Sequence, residues 1–327
     1  MRGEAKAEAS PGRWRRIVDA ALLGEEDATA LGLCRVAIVL VFTLSMLAHV
    51  GSVAEYFSDE SMVFGPYARK ASRSAWAPEL YPSIFYYVTD PTWVRAIFTV
   101  GLLAHVTWLL GLYTRLSSLI AWLVWISMVG RNPLLYSMPD QWHGALAFYV
   151  MLLPTGRGFS LDARWRKKGR PAPVWCRRLL QLQLAVLYVG AGVSKTGATW
   201  RETGEALYYA AASPYNRHFL INGWLAYLQP WVLRPATFAA LIWEVAFGPF
   251  VLLHWLREAT GWRYIPPLRW LFLGFGVAMH LGIQLLLYVV WFSPLTVAAY
   301  TCFLRPDEAR RAIDGVARRL PRRRAAS

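Results

Sequence analysis

The chain has 327 residues, of which 56% are apolar and only 17% charged, and its formal net charge is +15. A soluble domain of this size needs roughly a quarter of its residues charged to wet its surface. An ordinary soluble protein is therefore excluded. The positive charge does not indicate nucleic acid, because the basic residues flank apolar runs instead of interleaving with aromatics on one face. Cys34, Cys176 and Cys302 are scattered, with neither disulfide-framework nor metal-ligand spacing.

In chain order, residues 1–30 mix Arg, Glu and Asp without an apolar signal core, so they read as a cytoplasmic N-terminal segment. Apolar runs then predict eight membrane-spanning helices over 31–51, 93–113, 116–135, 141–155, 178–195, 236–256, 269–290 and 292–304. The fourth and eighth are short. Pro294 suits the first turn of a helix, which makes 288–294 a tight hairpin. Basic loops before 31, at about 156–177, after 256 and in the 305–327 tail (ending Arg322-Arg-Arg324) would fall on one side only if the span count is even. The expected fold is all-α, a polytopic bundle of eight spans with both termini cytoplasmic. The opposite side carries two long connections, about 52–92 and 196–235. They hold Glu55, Tyr56 and Asp59 in one and Trp200, Tyr209, Tyr215, Arg217 and His218 in the other, and short interfacial helices are expected there.

Polar residues within the spans carry the functional signal, since an ionisable group at membrane depth costs on the order of 3 kcal/mol without a partner. Arg35 reads as a tie between helices, and His49 and His105 as interhelical hydrogen bonds. Arg131 and Asn132 at a helix end read as cap and interfacial anchor, or as ligand-orienting groups with Asp140. Lys195, Glu244 and His280 fit a wet pocket opening outward, with Gln284 on the His280 face by its i, i+4 spacing. A lysine desolvated among apolar helices loses its proton more readily and can act as a base, with an imidazole or carboxylate as proton partner.

Tyr188-Val-Gly-Ala-Gly-Val-Ser-Lys195-Thr-Gly-Ala-Thr-Trp200, followed by Gly204, resembles the segment of vitamin K-dependent γ-carboxylases that carries their base lysine. Arg131-Asn-Pro-Leu134, Asp140 and Leu153-Pro-Thr-Gly-Arg-Gly-Phe-Ser-Leu-Asp162 resemble the signature of the horizontally transferred transmembrane (HTTM) domain, the bacterial relatives of that carboxylase. Met279-His280-Leu-Gly-Ile-Gln284 is similar to the late span holding a functional histidine there. The resemblance covers roughly residues 30–304.

It implies a carboxylase-like lyase or oxygenase in the bacterial inner membrane with its active face outward. Lys195 would be catalytic base, and His280 and Glu244 its partners. Arg131, Asn132, Asp140, Trp200 and Gln284 would bind substrate or cofactor. The implied cofactor is a reduced quinone, with O2 and CO2 as co-substrates and no metal, and the implied partners are the lipid bilayer and a secreted peptide. Two departures stand out. Met138-Pro139 occupies the place of the carboxylase's Asn-His pair, with His143 one turn later. The basic tail also stands where the carboxylase continues into a luminal region, so propeptide-guided carboxylation is not expected. The alternatives are a maturation or export partner of a secreted peptide, and a transporter of a lipid or small molecule.

Overall fold

The computed structural model describes residues 12–63, 65–67, 82–132, 134–135, 138–166, 169–214, 224–262 and 264–319. Among the described residues, apart from one two-residue antiparallel pairing of Glu25–Glu26 with Ala172–Pro173, the regular structure is helical. Eight helices occupy the eight segments that the apolar runs indicate. They are α1 (Thr29–Leu47), α2 (Pro91–Leu110), α3 (Thr114–Arg131), α4 (Met138–Leu152), α5 (Val174–Ser194), α6 (Arg234–Thr260), α7 (Arg269–Leu286) and α8 (Phe292–Ala299). A ninth, α9 (Pro306–Arg319), follows the bundle. Among the described residues, four stretches are long and apolar enough to cross a membrane: Thr29–Phe57, Pro91–Leu110, Leu225–Thr260 and Arg269–Leu286.

The helix ends follow local chemistry. Pro91 starts α2 behind Asp90, whose carboxylate accepts the Thr92 and Trp93 backbone N–H groups, and Gly111 ends it in the left-handed region at φ 69°. Gly261 closes α6 in the same way, at φ 63°. Pro294 lies in the first turn of α8, which begins at Phe292. The sixth helix is longer than its apolar run, because Arg234-Pro235 and Arg257-Glu258 continue helical beyond both ends.

Contacts sort the helix ends into two groups. At the basic end, Arg177 at the start of α5 pairs with Glu26 and Arg178 with Glu258 at the end of α6. Arg269 at the start of α7 pairs with Glu308, and Arg310 with Asp27. The start of α3 and the end of α4 meet there too, through Arg115 donating to the Met151 and Leu152 carbonyls. At the opposite end, Ser83 bonds the Ser127 carbonyl near the end of α3, and the α5 terminus meets α6. The helices therefore run up and down in alternation. Leu103, Leu119, Ile242, Leu252, Leu271 and Leu281 stay exposed on the outer surface. An apolar exterior around a packed core is what a bundle in lipid presents.

The two long connections contain short helices at Val53–Phe57, Ala198–Arg201, Ala206–Ala212 and Leu225–Leu228. Tyr215, Arg217, His218 and the Arg322–Arg324 run lie outside the described residues.

Candidate functional site

Lys195 caps the C-terminus of α5, and Glu244 lies at the end of the third turn of α6. Gly192 lets the two helices close. A Cβ there would sit 2.9 Å from Val245 Cγ2 and 3.1 Å from Glu244 Cβ. The close approach brings Lys195 Nζ to 2.5 Å from Glu244 Oε1, and Nζ bonds the second carboxylate oxygen as well. The Trp200 ring lies 4.8 Å from Nζ, within cation–π reach. Arg201 holds the Lys195 carbonyl through Nε at 2.9 Å, which fixes the chain where it leaves the helix. The lysine side chain keeps 20% of its surface accessible and the glutamate 12%, so the pair is mostly enclosed yet reachable.

His280 does not join this pair. Its Nε2 lies 2.7 Å from the Tyr188 hydroxyl, which also bonds the Tyr300 hydroxyl. Its Nδ1 faces Ser293 Oγ at 3.4 Å. One consistent assignment has Tyr300 donating to Tyr188, Tyr188 donating to His280 Nε2, and Nδ1–H pointing at Ser293. The triad ties α5 to α7 and to the turn after α8. Gly276 makes room for it, since a Cβ there would lie 2.6 Å from Trp243 and 2.7 Å from the Tyr300 hydroxyl. Tyr188 also stands edge-on to Trp243, with ring centres 4.6 Å apart, next to Glu244 in the chain.

Tyr188 and Lys195 are seven residues apart, two helical turns or about 10 Å along α5, and within about 20° of the same face. One shared pocket of Lys195, Glu244 and His280 thus resolves into a direct ion pair and, deeper in the bundle, a separate hydrogen-bonded triad. Tyr188 and Tyr300 were not singled out from the sequence. The i, i+7 spacing of Tyr188 from Lys195 was the signal available. Gln284 is half-buried one turn beyond His280, and its Oε1 has no hydrogen-bond partner among the described residues.

The remaining candidates are placed elsewhere. Arg131 donates to the Val63 and Ser58 carbonyls at 2.9 and 2.7 Å, and Asn132 Nδ2 to the Tyr56 carbonyl at 3.1 Å. Both fasten the outer 53–63 segment onto the end of α3. Asp140 stands in the first turn of α4. Neighbouring Met138 and Pro139 have side chains outside the described residues, and His143 is a core residue, stacked between Phe42 at 3.9 Å and Trp125 at 3.7 Å. His49 and His105 bond the carbonyls of Ser45 and Gly101, four residues back in their own chain segments. Each ring thus finds an acceptor one turn back in its own segment, the nearest carbonyl to an imidazole among apolar neighbours.

The 153–162 segment builds the opposite, basic end. Arg35, 1% exposed, donates to the Thr155 and Phe159 carbonyls at 2.7 Å each. Asp162 accepts from the Tyr113 and Thr114 N–H groups, both at 2.9 Å, and from Thr114 Oγ1 at 2.7 Å. Partial burial alone would raise its carboxyl pKa, but the Thr114 side-chain bond and those backbone bonds hold it below the ordinary aspartate range. A Cβ on Gly158 would meet the Ala28 carbonyl oxygen at 2.3 Å, and one on Gly32 would meet the Gly158 oxygen at 2.1 Å. The most distinctive sequence motif is therefore a structural clasp joining α1 to the loops that follow α2 and α4.

No solved structure matches this chain. The family model described as the HTTM domain matches residues 24–307. That span runs from the Glu25–Glu26 pairing through all eight bundle helices, so the chain belongs to the HTTM domain family and is an integral membrane protein.

Proposed function

We propose that all eight helices cross the bacterial inner membrane with both termini cytoplasmic, and that Lys195 and Glu244 form an outward-facing proton-transfer site of a carboxylase-like enzyme. The observation that carries this reading is the Lys195–Glu244 pair at the end of the bundle opposite the arginine clusters. In the ion pair the lysine is an ammonium and holds no free lone pair. One proton hop over the short Nζ–carboxylate contact gives amine and carboxylic acid, and the amine then serves as a base. Trp200 covers Nζ and keeps the cation form favourable until substrate arrives.

The donor set fits a phenolic hydroxyl, which would lodge against Lys195, Glu244 and the Trp200 ring. A reduced quinone would supply that weakly acidic proton and the reducing equivalents for chemistry with O2. Lys195 receives the phenolic proton, Glu244 keeps the proton that hopped to it, and the new ammonium balances the phenolate. The Tyr188–His280–Tyr300 triad, two turns deeper, fixes the α5 face that presents Lys195. A secreted Glu-containing peptide and CO2 complete the substrates of this reading.

The test is quinol-dependent incorporation of labelled bicarbonate into Glu peptides by purified protein in lipid nanodiscs. Labelling that disappears in Lys195→Ala supports the proposal. Wild-type protein that labels nothing across a range of peptides and quinols overturns it.

A further inference from the structure

We propose that the groove between α1, the end of α2, the 157–164 segment and Gly169-Arg170 is a binding site for one anionic phospholipid, held at the basic end of the bundle. The groove encloses about 960 Å³. Arg35, Arg157, Arg164, Arg170 and Arg310 line it, against one acid among the described residues, Asp27. Apart from Thr29 and Ser160, its remaining side chains are apolar. Leu40 and Leu110, 46% and 50% exposed, continue from it along the bundle's outer surface. Cationic rim and apolar strip thus stand in the order of a phosphate headgroup and an acyl chain.

Three observations separate this groove from a generally basic surface. First, Asp27 pairs with Arg310 within the groove, and among the described residues no carboxylate comes within ion-pair distance of Arg35, Arg157, Arg164 or Arg170, although acids and arginines pair freely elsewhere at the same end. Second, the cavity lined by His254, Arg257, Arg269 and Arg305 matches its cations with Glu258 and Glu308, and Arg269 is already paired. Third, part of the cationic rim is built in. Arg35 is buried with both Nη groups bonded to carbonyls, while its Nε has no hydrogen-bond partner among the described residues. Arg157 is held by the Pro171 carbonyl at 2.9 Å. Topology-setting arginines need only lie on one side of the membrane. They need not converge unpaired on one apolar groove. A phosphodiester supplies the anionic partner that Arg157, Arg164 and Arg170 lack, and a free phosphate would leave the Leu40–Leu110 strip uncovered.

The test measures lipid retention by native mass spectrometry after exchange into equal parts of phosphatidylglycerol and phosphatidylcholine with matched acyl chains. Wild-type protein is expected to keep one phosphatidylglycerol in preference to phosphatidylcholine. The double variant Arg164→Ala/Arg170→Ala, at exposed positions whose side chains make no hydrogen bond recorded among the described residues, is expected to lose that preference by about thirtyfold. Arg318→Ala/Arg319→Ala removes the same charge from α9 outside the groove and is expected to retain the lipid. Leu40→Gln tests the acyl strip and is expected to weaken retention without changing headgroup preference. Equal retention of both lipids by the wild type, equal losses in the two arginine doubles, or displacement of the lipid by millimolar inorganic phosphate would overturn the proposal. This outcome is independent of the reaction proposed at Lys195.

Discussion

The Tyr188 hydroxyl lies 2.7 Å from His280 Nε2, joining two helices whose contacting residues are 92 apart in the chain. The same hydroxyl bonds Tyr300, so one oxygen ties together α5, α7 and the turn that ends α8. All three side chains are buried. Removing that oxygen leaves His280 and Tyr300 without the partner they share. Tyr188→Phe is expected to destabilise the bundle by about 1–3 kcal/mol. Thermal unfolding in detergent checks this, and His280→Phe combined with Tyr188→Phe should cost less than the two single changes together.

The Lys195–Glu244 pair gives a second expectation. Lys195→Met leaves a mostly enclosed carboxylate without its cation and should cost about 2–3 kcal/mol, somewhat less than breaking a fully buried pair. Lys195→Met with Glu244→Leu removes both charges and should recover most of that loss. A thermal-shift double-mutant cycle measures the coupling. A double variant no more stable than Lys195→Met alone would show that the pair does not contribute as described.

Glycine substitutions should separate close approach from open surface. Gly32→Ala places a methyl 2.1 Å from the Gly158 oxygen, backbone that cannot swing away, and is expected to abolish stable folding. Gly190→Ala meets nothing within 4 Å and should be neutral or stabilising by about 0.5–1 kcal/mol. Gly192→Ala lies between them. It pushes α5 off Val245 and should loosen the Lys195–Glu244 contact with a moderate loss of stability. Expression in membranes, with size-exclusion profiles of the purified variants, distinguishes the three.

The Asp162 clasp carries a pH dependence. Its pKa is lower folded than unfolded, so its stabilisation is fully present above the unfolded value of about 4 and is lost as pH falls through the folded one. Asp162→Asn presents an amide donor to Tyr113 and Thr114 donors and is expected to cost about 1–2 kcal/mol at neutral pH. Its melting temperature should fall less than the wild type's when pH drops from 6 to 3. Parallel acid-limb slopes for the two proteins would count against the clasp.

Much of this was legible from residues alone. The eight apolar runs locate eight helices to within a few residues, because length and hydropathy are local properties. The family signature was legible too, and the chain-long match agrees with it. The work done by that signature was not. Arg35 and Phe159 are 124 residues apart, and nothing local indicates that the 153–162 segment folds back over the start of α1. The partners of Arg131, the Ser58 and Val63 carbonyls, were likewise not legible, because they lie 73 and 68 residues away.

The sequence by itself determined the all-helical membrane class, the helix positions and the residue types available for proton chemistry, since these follow from hydropathy, capping and charge near each helix. Only the tertiary structure decided which polar groups meet. Lys195 pairs with Glu244 because Gly192 lets α5 and α6 approach, whereas His280 is drawn into a triad with Tyr188 and Tyr300. Apolar periodicity says that a helix buries a face, but not which neighbour covers it. That choice is made by side-chain volumes across helices, where one absent Cβ can decide the contact.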